Sequence, residues 1–210
     1  MHMLPLYTLW LFILSSLALA LVPGPDNIFV LTQSMTKGIR AGIAVTLGLM
    51  TGLIVHTTAV ALGVAAIFQT SQVAFDMLKY LGAAYLLYLA YLSFKDSSSL
   101  ELHTQRNQLS LSQLYRRGIF MNITNPKVSL FFLAFLPQFT DAKLGSVTLQ
   151  IFMLGGLFIL SAFTIFGLVS LLAGRISRWF SHSPKANAWL NKIAGGIFVT
   201  LAAKLALVER

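Results

Sequence analysis

Two stretches decide how this chain folds: Val22-Pro23-Gly24-Pro25-Asp26-Asn27 and Asn122-Ile123-Thr124-Asn125-Pro126-Lys127. Each places a charged residue close to proline inside a long hydrophobic segment. Proline lacks a backbone N–H group and breaks or kinks a helix. Because lipid cannot hydrogen-bond the backbone groups that a break releases, a broken helix at membrane depth must lie against protein or a water-filled cavity. Such interruptions at matching places in two halves of a chain indicate the binding site of a secondary transporter.

The composition is that of a membrane protein. Of the 210 residues, 57% are hydrophobic and only 10% are charged, whereas soluble domains carry about 25% charged residues. Long stretches contain no charged residue, among them Ala41 to Phe75 and Leu144 to Gly174. A helix needs about 20 mainly apolar residues to cross the hydrocarbon core. We therefore expect an all-α polytopic protein embedded in the lipid bilayer.

The net charge of +9 does not indicate a nucleic-acid partner. The basic residues occupy short loops between apolar segments, and the chain carries no nucleic-acid-binding motif. The sequence has no cysteine, which excludes disulfides and thiolate metal ligands. It also shows no metal-ligand cluster, no phosphate-binding loop and no pair of nucleophile and base. We expect no nucleic acid, no metal, no cofactor and no enzymatic activity.

Six apolar segments predict six transmembrane helices, at about 4–33, 41–69, 77–94, 118–140, 144–173 and 190–207. A straight helix of some 30 residues measures about 45 Å, against about 30 Å of hydrocarbon. The first segment must therefore change direction, and Pro23 and Pro25 mark the place. Pro126 breaks the fourth segment in the same way. Leu11 to Leu21 resembles the core of a signal peptide, but no Lys or Arg precedes it, so we expect it to be retained.

The two halves of the chain resemble each other weakly. Lys79-Tyr80-Leu81-Gly82-Ala83 in the third segment is similar to Lys192-Ile193-Ala194-Gly195-Gly196 in the sixth, although chance among apolar helices explains that match alone as well. Since three spans per half is an odd number, the second half must insert upside down, as in alternating-access transporters. We expect one transporter domain over 1–210, with inverted repeats at about 1–95 and 115–210 and a connector at 96–114.

The loop charges predict the orientation in the membrane. In membrane proteins, Lys and Arg are more frequent in the loops on the cytoplasmic side than in those on the other side. The loops after spans one, three and five hold ten basic residues: Lys37, Arg40, Lys95, Arg106, Arg116, Arg117, Arg175, Arg178, Lys185 and Lys192. The other side holds three: Lys79, Lys143 and Arg210. This ratio places both termini outside the cytoplasm.

The two breaks supply the groups that a zwitterion needs. Asp26 is the one acidic residue inside a predicted span, and Lys127 is one of two basic ones that lie beyond the first three residues of a span. An amino acid would place its carboxylate on Lys127 and on free amides where a helix restarts, and its ammonium group on Asp26 and on freed carbonyls. The neutral side chains available as further partners are those of Asn27, Asn122, Thr124 and Asn125. The alternative is a permanent ion pair between Asp26 and Lys127 that only fixes the broken helices.

Two further features of the second span have a functional and a structural explanation. His56 lies near its middle, where an imidazole suits proton coupling but equally suits a hydrogen bond to a neighbouring helix. Gly48 and Gly52 are spaced for close helix contact, either within the chain or in a homodimer.

The motifs together resemble a known family. Pro23-Gly24-Pro25-Asp26, then Gly38, Gly42 and Gly48, then Lys79-Tyr80-Leu81-Gly82-Ala83-Ala84-Tyr85-Leu86, and finally Asn125-Pro126-Lys127 are similar to motifs of the lysine exporter superfamily (LysE/RhtB), in particular its homoserine/threonine resistance branch. The resemblance covers nearly the whole chain. It implies a bacterial inner-membrane protein with six helices and functional residues at six motif positions: Pro23, Pro25, Asp26, Asn125, Pro126 and Lys127.

The activity that this resemblance implies is export of amino acids, including neutral ones such as threonine or homoserine, in exchange for protons. The alternative on the same scaffold is an ion or metal exporter, or a channel-like protein.

Overall fold

The computed structural model describes residues 4–22, 24–70, 72–95, 109–182 and 184–207. Within these ranges all regular structure is helical, as the sequence predicts. Pro23 and residues 96–108 of the expected connector lie outside the described residues.

The helices correspond to the predicted segments, although the helix of the fifth segment ends nine residues later than predicted and that of the sixth begins six residues earlier. They are α1 (Leu6–Leu21), α2 (Pro25–Lys37), α3 (Ile39–Thr70), α4 (Gln72–Lys95), α5 (Leu111–Ile123), α6 (Pro126–Leu130), α7 (Val147–His182) and α8 (Pro184–Ala206). The predicted first segment corresponds to α1 and α2, and the predicted fourth to α5, α6 and the turns that follow. α5 begins at Leu111, so its first residues belong to the stretch expected as connector.

The break between α1 and α2 bends the chain by 60°. Gly24 precedes α2 in an extended conformation, and Pro25 occupies the first helical position, where its missing N–H is no loss. Asp26 therefore lies in the first turn of α2, where the helix dipole favours a negative charge. α2 ends at Lys37 because Gly38 takes a positive φ of 86°.

The second break, between α5 and α6, bends the chain by 50°. α5 begins with a capping box in which Ser110 Oγ accepts from the Gln113 N–H and Gln113 Oε1 accepts from the Ser110 N–H. After α5 ends, Asn125 caps α6 and Pro126 takes its first position. The chain then widens into a π-helical turn (Phe131–Phe135) and tightens into 3₁₀ turns (Leu136–Phe139 and Ala142–Leu144).

α3 lies at the centre of the packing, against α2, α5 and α7, while α4 packs on α8 and α1 on α7. α3 and α5 come unusually close. A Cβ atom at Gly48 would overlap the Tyr115 carbonyl oxygen and lie 3.1 Å from the Gly118 Cα. The π-helical turn adds aromatic rings to the core, with the Phe131 centroid 5.1 Å from that of Phe158.

The described helices include two that are long and apolar enough to cross a membrane, over Ile39–Gly63 and Val147–Arg175. Each of the two bent pairs, α1 with α2 and α5 with the Pro126–Phe139 segment, also passes when counted as one span, which makes up to four. The arrangement as six spans in two inverted repeats stays a prediction.

Candidate functional site

The two helix breaks meet at one small cavity. Its polar lining comes from both of them: Gly24, Asp26, Asn27, Asn122, Asn125 and Lys127. The cavity has a free volume of about 20 Å³. Because a water molecule needs about 10–15 Å³ measured in this way, the site has room for a water or two but not for an amino acid. This conformation is therefore a closed one.

Asp26 is buried, with 5% of its surface exposed. Its Oδ2 accepts a hydrogen bond of 3.4 Å from Asn122 Nδ2. Its Oδ1 has no hydrogen-bond partner in the described part of the chain. A buried carboxylate oxygen without a donor is costly, so this atom is a ready acceptor for a donor that enters the cavity.

Lys127 reaches across to the other break. Its Nζ donates a 2.9 Å hydrogen bond to the carbonyl oxygen of Val22, the residue that caps the end of α1, where the helix dipole favours a cation. A Cβ atom at Gly24 would lie 3.5 Å from this Nζ, an ordinary van der Waals contact, so the ammonium group lies directly beside the first break.

Asp26 and Lys127 therefore share a cavity without forming an ion pair with each other. The direct pair that the sequence left open as the structural explanation is not the arrangement found in this conformation. Each charge is held instead by a neutral group, an amide for Asp26 and a backbone carbonyl for Lys127.

The other two asparagines of the cavity hold the broken ends of the helices. Asn27 Nδ2 donates a 2.7 Å hydrogen bond to the Ala20 carbonyl in the last turn of α1. Asn125 Oδ1 accepts a 3.0 Å bond from the Lys127 N–H at the start of α6. Both side chains thus satisfy backbone groups that a helix end leaves free.

His56 and Thr124 do not line the cavity. His56 Nε2 lies 3.1 Å from the Asn122 carbonyl oxygen, which can only accept, so this bond needs a proton on Nε2. The ring contacts Phe132, with 5.7 Å between centroids. Thr124 is exposed, and its hydroxyl donates to the Phe120 carbonyl in its own helix.

Asn122 connects more of the site than the sequence indicates. It is 1% exposed, and it links Asp26 through its side chain to His56 through its backbone. A Cβ atom at Gly52 would lie only 2.6 Å from its Oδ1, so the glycine admits this side chain. The sequence shows Asn122 as one of several polar residues at the break, and the three-way contact depends on how α2, α3 and α5 pack.

The rest of the cavity is apolar and is a feature that sequence reasoning missed. Its lining residues come from α1, α3, α6 and above all α7: Leu19, Ala20, Leu53, Val128, Phe158, Ala162 and Phe166. The available signal is the four-residue spacing of Phe158, Ala162 and Phe166, which puts them on one helix face. In so apolar a helix that spacing does not stand out.

Comparison with known proteins places this chain in a wider group. The sequence model of the LysE type translocators matches residues 17–209. The homoserine/homoserine lactone efflux protein of Salmonella typhimurium is 35% identical over 93% of this chain and 94% of its own length. The leucine efflux protein of Salmonella choleraesuis is 27% identical over 95% of each, and a membrane protein of Vibrio cholerae is 30% identical over 95% of this chain and 97% of its own. No solved structure matches the chain.

Proposed function

Since this chain belongs to the LysE type translocator family, we propose that it is a secondary transporter of the bacterial inner membrane that exports neutral amino acids in exchange for protons. The observation that carries the proposal is the shared cavity of Asp26 and Lys127, two opposite charges that do not pair with each other. The names of the related efflux proteins for homoserine, homoserine lactone and leucine support the substrate class.

The cavity offers complementary partners to both ends of an amino acid. The carboxylate binds the Lys127 ammonium, which leaves the Val22 carbonyl to do so. The substrate's ammonium group then takes that carbonyl and Asp26 Oδ1, the carboxylate oxygen without a partner. Each released group finds a new partner, which is what a buried polar site requires.

The small volume of the cavity supports a mechanism of alternating access. Because the site has no room for an amino acid as it stands, the two broken helices must separate for the substrate to enter. In the proposed arrangement the six helices form two inverted repeats, halves 1–95 and 115–210, and both termini face the periplasm. Rocking of one repeat against the other opens the cavity to each side in turn.

Proton coupling rests on Asp26 and its surroundings. A carboxyl group that binds a proton in one half of the cycle and a substrate ammonium in the other makes the two cargoes exclude each other, which is the requirement for antiport. His56 contacts the same asparagine that holds Asp26. We propose it as a second proton-handling group that acts through Asn122.

Counterflow in proteoliposomes tests the function. Vesicles that contain the purified chain and unlabelled amino acid should accumulate labelled amino acid from outside, and an imposed pH gradient should drive net movement. Saturable exchange supports the proposal. Ion conductance that needs no amino acid would instead identify the channel-like alternative, and metal movement without exchange the metal exporter.

A further inference from the structure

Part of the cavity lining is apolar, and binding the two charged ends of an amino acid does not account for it. Phe158, Ala162 and Phe166 are exposed by only 3%, 2% and 6% and form the α7 side of the lining. Leu19 of α1 and Leu53 of α3 extend this surface. A site that bound only the ammonium and carboxylate groups of its substrate, as a site for glycine would, does not need so large an apolar lining.

The polar groups of α7 do not reach this surface. The hydroxyls of Ser161 and Ser170 donate to the carbonyls of Leu157 and Phe166, at 2.8 and 2.9 Å, and neither serine lines the cavity. The polar side chains of the lining, those of Asp26, Asn27, Asn122, Asn125 and Lys127, all lie at the two helix breaks and none lies on α7. The proposed function assigns Asp26 and Lys127 to the two ends of the substrate. A hydroxyl or charge on the substrate's side chain would therefore lose its water at α7 without a replacement, which is unfavourable.

We infer that Phe158, Ala162 and Phe166 form a side-chain subsite, which selects amino acids with uncharged, apolar side chains. The inference rests on the proposed function and narrows its substrate class. Ala162 sets the depth of the subsite because it is the smallest of the three, and the two phenylalanines form its sides.

Isosteric substrates test the chemistry of the subsite. Norvaline and homoserine have side chains of the same length and shape that end in a methyl or a hydroxyl group, and ornithine adds a positive charge to a chain one atom longer. In counterflow with the wild-type protein, norvaline should half-saturate exchange at a concentration about 10- to 100-fold lower than homoserine, and ornithine should be exchanged least. If homoserine is exchanged as well as norvaline, the inference is wrong while the proposed function stands. If no amino acid is exchanged, both fail.

A variant that fills the subsite tests its position. Ala162→Leu fills it and should weaken norvaline and leucine exchange by about 10-fold or more relative to alanine exchange. Thr164→Leu is the matched control, because it introduces the same side chain on the same helix at an exposed residue outside the cavity lining. The control should keep the wild-type order of substrates.

Phe166→Leu provides the opposite change with a smaller side chain, which the fold accommodates more easily. It should increase exchange of phenylalanine relative to alanine. Equal effects of Ala162→Leu or Phe166→Leu on all amino acids would contradict the assignment. If Ala162→Leu does not insert into the membrane, the ratio of phenylalanine to alanine exchange by Phe166→Leu tests the assignment alone.

Discussion

At the scale of single residues, the site depends on two opposite charges, the buried Asp26 and the half-buried Lys127, which line one cavity without pairing with each other. A charge at the centre of a bilayer costs about 2.5–3.5 kcal/mol on insertion scales. Asp26 and Lys127 reduce this cost through the Asn122 amide and the Val22 carbonyl. Because neutral groups hold them, both charges are free to exchange partners.

Asp26→Asn should abolish proton-coupled export while leaving the protein inserted. Asparagine keeps the shape of the side chain but neither binds a proton nor offers a negative charge to a substrate ammonium. Asp141→Asn makes the same chemical change at an exposed residue outside the cavity and should export normally. Gradient-driven export from vesicles measures both, and a wild-type rate from Asp26→Asn would contradict the assigned role.

The double variant Asp26→Asn/Lys127→Gln separates binding from structural roles. Removing one charge leaves the other buried without its opposite, so the double variant should lose less stability than the two single variants together, by about 0.5–3 kcal/mol. We nevertheless expect it to be inactive. Thermal unfolding in detergent and export by the three variants give the comparison. Near-normal transport by the double variant would assign both residues to the scaffold.

At the scale of helices, the fold depends on how closely α3 approaches α5. Gly48 and Gly52 allow the α5 backbone and the Asn122 side chain to lie against α3. The sequence left open whether this glycine pair packs within the chain or in a homodimer. In the structure it is used inside the chain, next to the cavity.

Gly48→Ala should destabilise the protein by about 1–3 kcal/mol, since the new methyl group would overlap the backbone carbonyl oxygen of Tyr115. Gly156→Ala is the matched control, because a Cβ atom there meets nothing within 4 Å. Glycine costs a helix about 0.5–1 kcal/mol relative to alanine, so the control should be neutral or stabilising. Melting temperatures in detergent measure both, and equal stability of the two variants would contradict the tight contact.

The elements that local chemistry determines could be predicted from the sequence, and those that depend on packing could not. Pro25 and Pro126 begin helices where the sequence placed the breaks, because a proline ring has the same effect in any surroundings. The π-helical turn at Phe131–Phe135, the contact between Gly52 and Asn122 and the α7 side of the cavity follow from which helices meet. A single sequence does not carry that information directly.

At the scale of the whole molecule, the membrane determines how the site is approached. The basic residues fall ten to three on the loops after the predicted spans one, three and five, and the positive-inside rule predicts that those loops are cytoplasmic. In the predicted orientation α1 would enter from the periplasm, which would place the first break beyond the middle of the membrane.

A reporter protein fused after Arg210 tests this orientation. At this position we expect a reporter that works only in the periplasm to be active, and a reporter that works only in the cytoplasm to be inactive. The same pair of reporters fused at residues 96–108, between the third and fourth predicted spans, should give the reverse pattern. Cytoplasmic activity at Arg210 would reverse the topology and move the basic loops outside.

The hydrogen bond from Lys127 to the Val22 carbonyl also bears on how tightly a substrate is held. On the proposed mechanism the ammonium group gives up this bond when it takes the substrate's carboxylate. A hydrogen bond to a charged group contributes about 1.5–3 kcal/mol, which lowers the affinity by roughly 10- to 150-fold compared with a lysine that had no bond to lose. An exporter benefits from such weak binding, because its substrate must dissociate on the far side before the next cycle begins. The internal bond thus favours rapid turnover at the expense of affinity, and returns Lys127 to its resting partner once the substrate has left.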